Sequence, residues 1–418
     1  MEAVVSALAE CSTSRCRSCG HDDLGQILDL GRLPLANALL TAGQLALPED
    51  RFPLELYFCP QCALVQIGES VPPERLFRDY AYASSYSDTM VEHARALVEA
   101  LIDARHLVGR ESLVIEVASN DGYLLQFYQR QGIPVLGIEP AENIAALAAR
   151  KGIPTLTEFF DAGLARRLAA DGRFADIIHA HNVLAHVPDP NRFVAGIKQV
   201  LKPGGIAVIE APYVRDLIAK LEFDTIYHEH FSYYSASAVA ALTARHGLTI
   251  RDVALTPIHG GSLRLTLAHA GGAATERVTE LLAQEQSAGL LRAPYYRGFA
   301  ERVSGLKDQL LALLWRLKGE GYRIAAYGAS AKGSTLTNAF GIDQRLIDFV
   351  VDRSDLKQGR FTPGNHLPIL PPSALIERRP DYVLLLTWNF AAEILQQQDE
   401  FRRGGGKFII PVPEVAVV

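Results

Sequence analysis

The 418-residue chain has no uninterrupted apolar run of about 18 residues or more, and its first ten residues carry no basic cluster ahead of an apolar stretch. The patterns of a membrane-spanning helix and of a secretory leader are therefore missing, and a cytoplasmic protein without a membrane partner is expected. Basic side chains are not in excess either: 41 Lys and Arg stand against 47 Asp and Glu, a formal net charge of -6. With no surplus cation to displace counterions from phosphates, nucleic acid is not an expected partner. Internal repeats and low-complexity tracts are absent, which excludes solenoids and tail-like segments. There are only five cysteines, too few for a disulfide framework in a chain of this size.

Four of the five form two C-x-x-C pairs, Cys16/Cys19 and Cys59/Cys62. Tetrahedral zinc takes four soft ligands, so these thiolates make a closed structural site with no open position for catalysis. Metal-coupled folding explains how a short, polar, turn-rich block is ordered. Cys11 is left over as a free thiol.

At this length two or three domains are expected, and three blocks emerge: a zinc-binding module (1–75), a central block (76–270) and a C-terminal block (271–418). The central block reads as a helix near Met90 to Arg105, then strands at Leu113–Val117, Val135–Ile138, Asp176–His179 and Ile206–Glu210 separated by helical periods. After a long helical segment, 274–319, the alternation restarts at Arg323–Tyr327, Phe349–Val351 and Tyr382–Leu386. The fold class is α/β: a zinc module, a Rossmann-like sheet and a second, smaller doubly wound sheet. The stretch 213–270 between the sheets is the densest in polar and aromatic residues, and an interdomain cleft is where a ligand site belongs.

The first strand of the central block runs into Ala118-Ser119-Asn120-Asp121-Gly122, with a helix start behind it, and Gly122 permits close approach. The second strand ends at Glu139, placed to bind the two hydroxyls of a ribose. The loop lacks G-x-G-x-x-G, so a dinucleotide is not expected, and a nucleoside without phosphates fits better. S-adenosylmethionine is such a cofactor. Glu116 suits its cationic methionine portion through a nearby charge or water, and Ala118, Asn120, Asp121 and Asn182 complete the expected cofactor set.

Tyr227-His228-Glu229-His230 concentrates two imidazoles, a carboxylate and a phenol, with His186 after the third strand and Tyr80 or Tyr82 upstream as further donors. In the last block, Gly328-Ala329-Ser330-Ala331-Lys332-Gly333-Ser334-Thr335 follows a strand and opens a helix, which suits a phosphate. It is not a Walker A loop, because Lys332 precedes Gly333.

Taken in order, the C-x-x-C pairs, the loop 116–122, Tyr227-His228-Glu229-His230, His259-Gly260-Gly261-Ser262 with Arg264, and the loop 327–333 resemble the sugar C-methyltransferases that act on nucleotide-linked keto-deoxysugars in antibiotic biosynthesis. The resemblance covers nearly the whole chain. It implies methyl transfer to C3 of a 4-keto-deoxysugar, dTDP-linked, through an enolate. A base near neutral pKa must take the C3 proton, a role that falls to His230. Glu229 orients that imidazole or holds the sugar, while Tyr227, His186 and Tyr82 face the enolate oxygen. Tyr80 competes with Tyr82 for the upstream tyrosine. Tyr80, Ser262, Arg264, Gly328, Ala329, Lys332, Gly333, Ser334, Asp352, Arg353 and Lys357 are the expected substrate contacts, in a monomer or dimer. The rival readings are an O- or N-methyltransferase and a non-catalytic binder of S-adenosylmethionine or a sugar nucleotide.

Overall fold

The computed structural model describes residues 11–12, 15–77, 83–107 and 109–418. Tyr80 and Tyr82 lie outside the described residues. Near the amino end, Gly25–Pro34, Arg51–Phe58 and Val65–Ile67 form an antiparallel sheet beside the paired cysteines. Its fourth strand arrives from far along the chain: Ser232–Tyr233 pairs with Val65 and Gln66.

The central sheet has seven strands in the order Leu248–Thr256, Ser262–His269, Leu201–Pro212, Ala175–His181, Val114–Val117, Val135–Ile138, Thr155–Leu156. All but one run parallel; Ser262–His269 is antiparallel to both its neighbours. The first two strands of that order come from the stretch 213–270, which was expected to lie between the two sheets. Ser262–His269 alternates apolar and polar residues at a period of two (SLRLTLAH), with Leu263, Leu265 and Leu267 fully buried, the pattern of a strand with one face on a core.

The C-terminal sheet has the order Ile369–Leu370, Val350–Val351, Ile324–Tyr327, Tyr382–Leu385, Lys407–Ile410, Ala416–Val417, parallel except at the last pair. The expected helix 274–319 is two helices, Glu276–Ser287 and Phe299–Gly319. Gly289 and Gly298 at positive φ (81° and 75°), with Pro294 between them, break it.

A stacked pair joins the two sheets. Phe223 and Phe340 lie with ring centroids 4.6 Å apart and planes 17° from parallel, and both are buried. Nearby, the Trp388 indole N–H donates to Asp224 Oδ2 at 2.7 Å, and Lys332 Nζ stands 4.7 Å from the centre of the Trp388 ring. The apolar core is continuous through this seam. Phe340→Ala is expected to cost about 3–5 kcal/mol, the usual range for deleting a buried aromatic ring. Urea denaturation followed by tryptophan fluorescence checks this, since both tryptophans, Trp315 and Trp388, lie in the C-terminal block.

Candidate active site and zinc centre

Cys16, Cys19, Cys59 and Cys62 bring their four Sγ atoms within 4.8 Å of one another. Cys16 and Cys62 are 3.5 Å apart and Cys19 and Cys59 3.6 Å. Zinc–sulfur bonds of about 2.3 Å give a tetrahedron with edges of about 3.8 Å, whereas a disulfide would close the gap to about 2.05 Å. The spacing fits a zinc ion. Tight knuckle turns set it up: Gly20 N–H donates to the Cys16 carbonyl and Ala63 N–H to that of Cys59, with Gly20 and Ala63 at positive φ. Four thiolates fill the coordination shell, so the zinc is structural.

A cavity of about 620 Å³ lies at the carboxyl ends of strands from both parallel sheets. From the central sheet it takes Ala118, Asn120, Glu139 and Asn182; from the connecting segment Thr225, Tyr227 and His230; from the C-terminal block Gly328, Lys332, Asp352, Arg353 and Lys357. His186, His181 and Asn37 also line it. Strained backbone borders the first group: Ala118, Asn120 and Asn182 adopt φ of 49°, 51° and 56°, conformations that persist only where the surroundings impose them.

Glu139 accepts from the backbone N–H groups of Asn120 and Ala141, each at 2.9 Å. Burial pushes its carboxyl up to about 7, against the pull of those two donors. Asn182 Oδ1 is buried and finds no partner among the described residues, an acceptor waiting for a donor such as an ammonium or amide. These residues fit the nucleoside and amino-acid portions of S-adenosylmethionine, whose ribose hydroxyls and ammonium are donors for the two acceptors.

Other expected cofactor residues take different positions. Glu116 is sealed beneath the sheet, where burial and the nearby Asp121 and Glu139 charges raise its pKa well above the usual carboxylate range. Asp121 is held by Lys151 Nζ at 2.8 Å and by the Ser85 hydroxyl. Gly122, at φ 76°, is required by packing: a Cβ there would meet Ile153 Cγ1 at 2.8 Å. None of the three lines the cavity.

The connecting segment contributes Tyr227 and His230 to the cavity wall, with His228 and Glu229 between them in the chain. His230 Nδ1 lies 2.8 Å from the Thr225 carbonyl, which only accepts, so Nδ1 carries the proton and Nε2 is the basic nitrogen. The Tyr227 hydroxyl donates to that Nε2 at 2.8 Å. The His186 ring packs edge-on against His230, with centroids 4.6 Å apart. Burial drops the His186 pKa to about 4, so it is neutral, and its Nδ1 has no partner among the described residues. His228 is turned away, its Nε2 3.2 Å from the carbonyls of Phe52 and Pro53. Glu229 lies behind the wall, accepting from Asn37 Nδ2 at 2.8 and 2.9 Å.

In the C-terminal loop, Ala329 N–H donates to Asp352 Oδ2 and Gly333 N–H to Ser330 Oγ, the cap of helix Ala331–Phe340. Two amides expected for phosphate are thus engaged within the protein, and Ala329, Gly333 and Ser334 line a small void behind the main cavity. Gly328, at φ 97°, has Thr387 where a Cβ would be. Lys357 Nζ binds the Ala329 carbonyl at 2.9 Å. Arg264 binds Glu210, and Ser262 donates to the Ile258 carbonyl; both sit on the central sheet and neither lines the cavity. The sequence reading missed Asn37 and His181, both in the wall. His181 stood in plain view at the end of a strand, whereas nothing marked Asn37.

Three family descriptions match the chain: "Putative zinc binding domain" over residues 16–77, "Methyltransferase domain" over 90–253 and "C-methyltransferase C-terminal domain" over 257–413. The C-methyltransferase NovU of Streptomyces niveus is 36% identical over 405 residues, 96% of each chain. A ubiquinone biosynthesis O-methyltransferase of Acinetobacter baylyi is 26% identical over 164 residues, 35% of this chain and 66% of that one. The magnesium protoporphyrin IX methyltransferase of Synechocystis PCC 6803, solved with bound SAM, is 15% identical over 43% of this chain and 79% of its own, with a TM-score of 0.34, too slight a likeness to bear on function.

The zinc centre yields a direct test. Elemental analysis of the purified chain is expected to find about one zinc per chain, and Cys62→Ser to lower that content and lose the order of the amino-terminal sheet. Full zinc content in the variant would rule out the four-thiolate site.

Proposed function

The chain belongs to the S-adenosylmethionine-dependent C-methyltransferase family with an amino-terminal zinc domain, and on that premise we propose that it methylates C3 of a nucleotide-linked 4-keto-deoxysugar with His230 as the base. The observation that carries the reading is the fixed tautomer of His230. Its Nδ1–H is spent on the Thr225 carbonyl at 2.8 Å, which leaves the basic Nε2 at the cavity wall against the Tyr227 hydroxyl.

A C3 proton flanked by a 4-keto group is acidic enough for an imidazole to remove. Nε2 takes the proton, and the positive charge that forms on the ring is delocalised toward the Nδ1–H held by Thr225. The Tyr227 hydroxyl, released from Nε2 when that nitrogen is protonated, donates to the enolate oxygen instead. His186 is neutral and spends its one ring N–H on the Glu229 backbone, so its unpaired Nδ1 is an acceptor and the Tyr227 hydroxyl is left as the donor. S-adenosylmethionine, when bound, supplies an electrophilic methyl on sulfonium for the C3 carbanion. Glu139 receives its ribose hydroxyls, and Asn182 its amino-acid end.

Lys332 and Arg353 are the cations of the wall suited to the sugar's diphosphate. Burial lowers the Lys332 pKa while Asp224 and Glu222 pull it back up. Lys357, tied to a carbonyl, is left the lesser part.

The deciding experiment incubates the protein with S-adenosylmethionine and an enzymatically prepared dTDP-4-keto-6-deoxysugar in deuterated water. Deuterium entry at C3 of recovered substrate and a new methyl on carbon of the product are expected, both reduced about 100- to 10,000-fold in His230→Asn, the range for loss of a general base. A methyl on oxygen or nitrogen would overturn the reading. A second expectation concerns pH. Only ionised Glu139 accepts from both ribose hydroxyls, so affinity for S-adenosylmethionine, measured by calorimetry, should weaken as pH falls through about 7. Glu139→Gln should remove that dependence and weaken binding about 10- to 100-fold.

A further inference from the structure

Asn37 belongs to the zinc module by sequence yet stands in the cavity wall. The turn that carries it is fastened to the C-terminal domain: Leu40 and Phe361 exchange two backbone hydrogen bonds, at 2.9 and 2.8 Å, and Glu49 accepts from Gly364 N–H and His366 Nε2. Ala36 and Leu39 pack under the loop that holds Ala329 and Gly333. From this anchored turn the Asn37 amide reaches across to both oxygens of Glu229, at 2.8 and 2.9 Å. A carboxylate only accepts, so the amide nitrogen must face it. Glu229 itself is 2% exposed and has no water to turn to.

We propose that Asn37 is a positioning residue for methyl transfer: it fixes the Glu229 carboxylate behind His230 and His186, making the zinc module a working part of the reaction site. The inference rests on the reading of the Tyr227–His230 segment as that site. Burial pushes the Glu229 carboxyl up to about 7, and the Asn37 hydrogen bonds, then the Lys357 charge, work against it. The other groups around it are neutral near pH 7: His186, whose ring bonds the Glu229 backbone, and His228 both sit at about 4. The charge of Glu229 thus depends on one amide from the zinc module and one ammonium from the C-terminal domain. When ionised, it lies one residue from the imidazolium that forms on His230 and favours it.

The test is the pH profile of methyl transfer from S-adenosylmethionine to a dTDP-4-keto-6-deoxysugar, with zinc content measured alongside. Asn37→Ala is expected to keep its zinc and its affinity for S-adenosylmethionine. Its kcat should fall about 5- to 10-fold at neutral pH, and the acid limb should move up by about one unit, so that activity returns in alkali. Asn37→Asp, nearly the same shape, sets a second carboxylate against Glu229 and should move the limb further. If Asn37→Ala loses zinc, the Asp variant decides by its limb alone. An unmoved limb, or a loss equal at every pH, overturns the proposal. His230→Asn separates the two readings: if it transfers methyl normally, the site reading falls, whereas its loss of transfer beside a normal Asn37→Ala or Glu229→Gln sinks only this inference.

Discussion

The backbone of Phe231 is the pin on which this site hangs. Its N–H donates to the Ala185 carbonyl at 2.7 Å, on the turn that ends a central strand, and its carbonyl accepts from Ile67 N–H at 3.1 Å, in the zinc module. One residue on, Ser232–Tyr233 continues as the edge strand of that module's sheet. The residues just before, Tyr227 to His230, are therefore trapped between two separately built pieces. Their side chains have little freedom left to lose when a substrate binds, which is how a site gains pre-organisation. The zinc acts at a distance through this strand: it orders the sheet, the sheet holds Phe231, and Phe231 sets the height at which His230 meets the cavity.

Burial does much of the electrostatic work. His186 and His228 are kept neutral, and Glu139 and Glu229 are raised toward neutrality, each because a low-dielectric setting disfavours its charged form. In such surroundings a single hydrogen bond decides whether a group is ionised. Backbone N–H groups perform that service for Glu139, an asparagine amide for Glu229. Where a charge persists in the core it has partners: Glu210 stays ionised despite its burial because His181 and His93 hold it below the usual carboxylate range.

Much of the fold was legible because its signals are local. The cysteine pairs, the apolar parallel strands and the small-residue loops each announce themselves within a few residues. The strands Leu248–Thr256 and Ser262–His269 were also locally encoded, but by alternation, which is easily overlooked beside a cluster of aromatic residues. What the sequence did not reveal is long-range. Asn37 meets Glu229 across 192 positions, and Arg264 finds Glu210 on a neighbouring strand instead of a ligand. Gly122 read as a gap left for a cofactor, whereas Ile153 occupies the space its missing side chain leaves. Residue type told which chemistry was available; only the tertiary fold told which groups were already engaged.

The seam between the two sheets sets how molecules reach the cavity. Parting them would strip the Phe223–Phe340 stack, at about 1.5–3 kcal/mol for each exposed ring, and would also break the Trp388–Asp224 hydrogen bond. A joint of that kind behaves as a bearing face, not as a hinge. At that cost the closed seam is the favoured state, and the rim of the cavity is the expected way in and out.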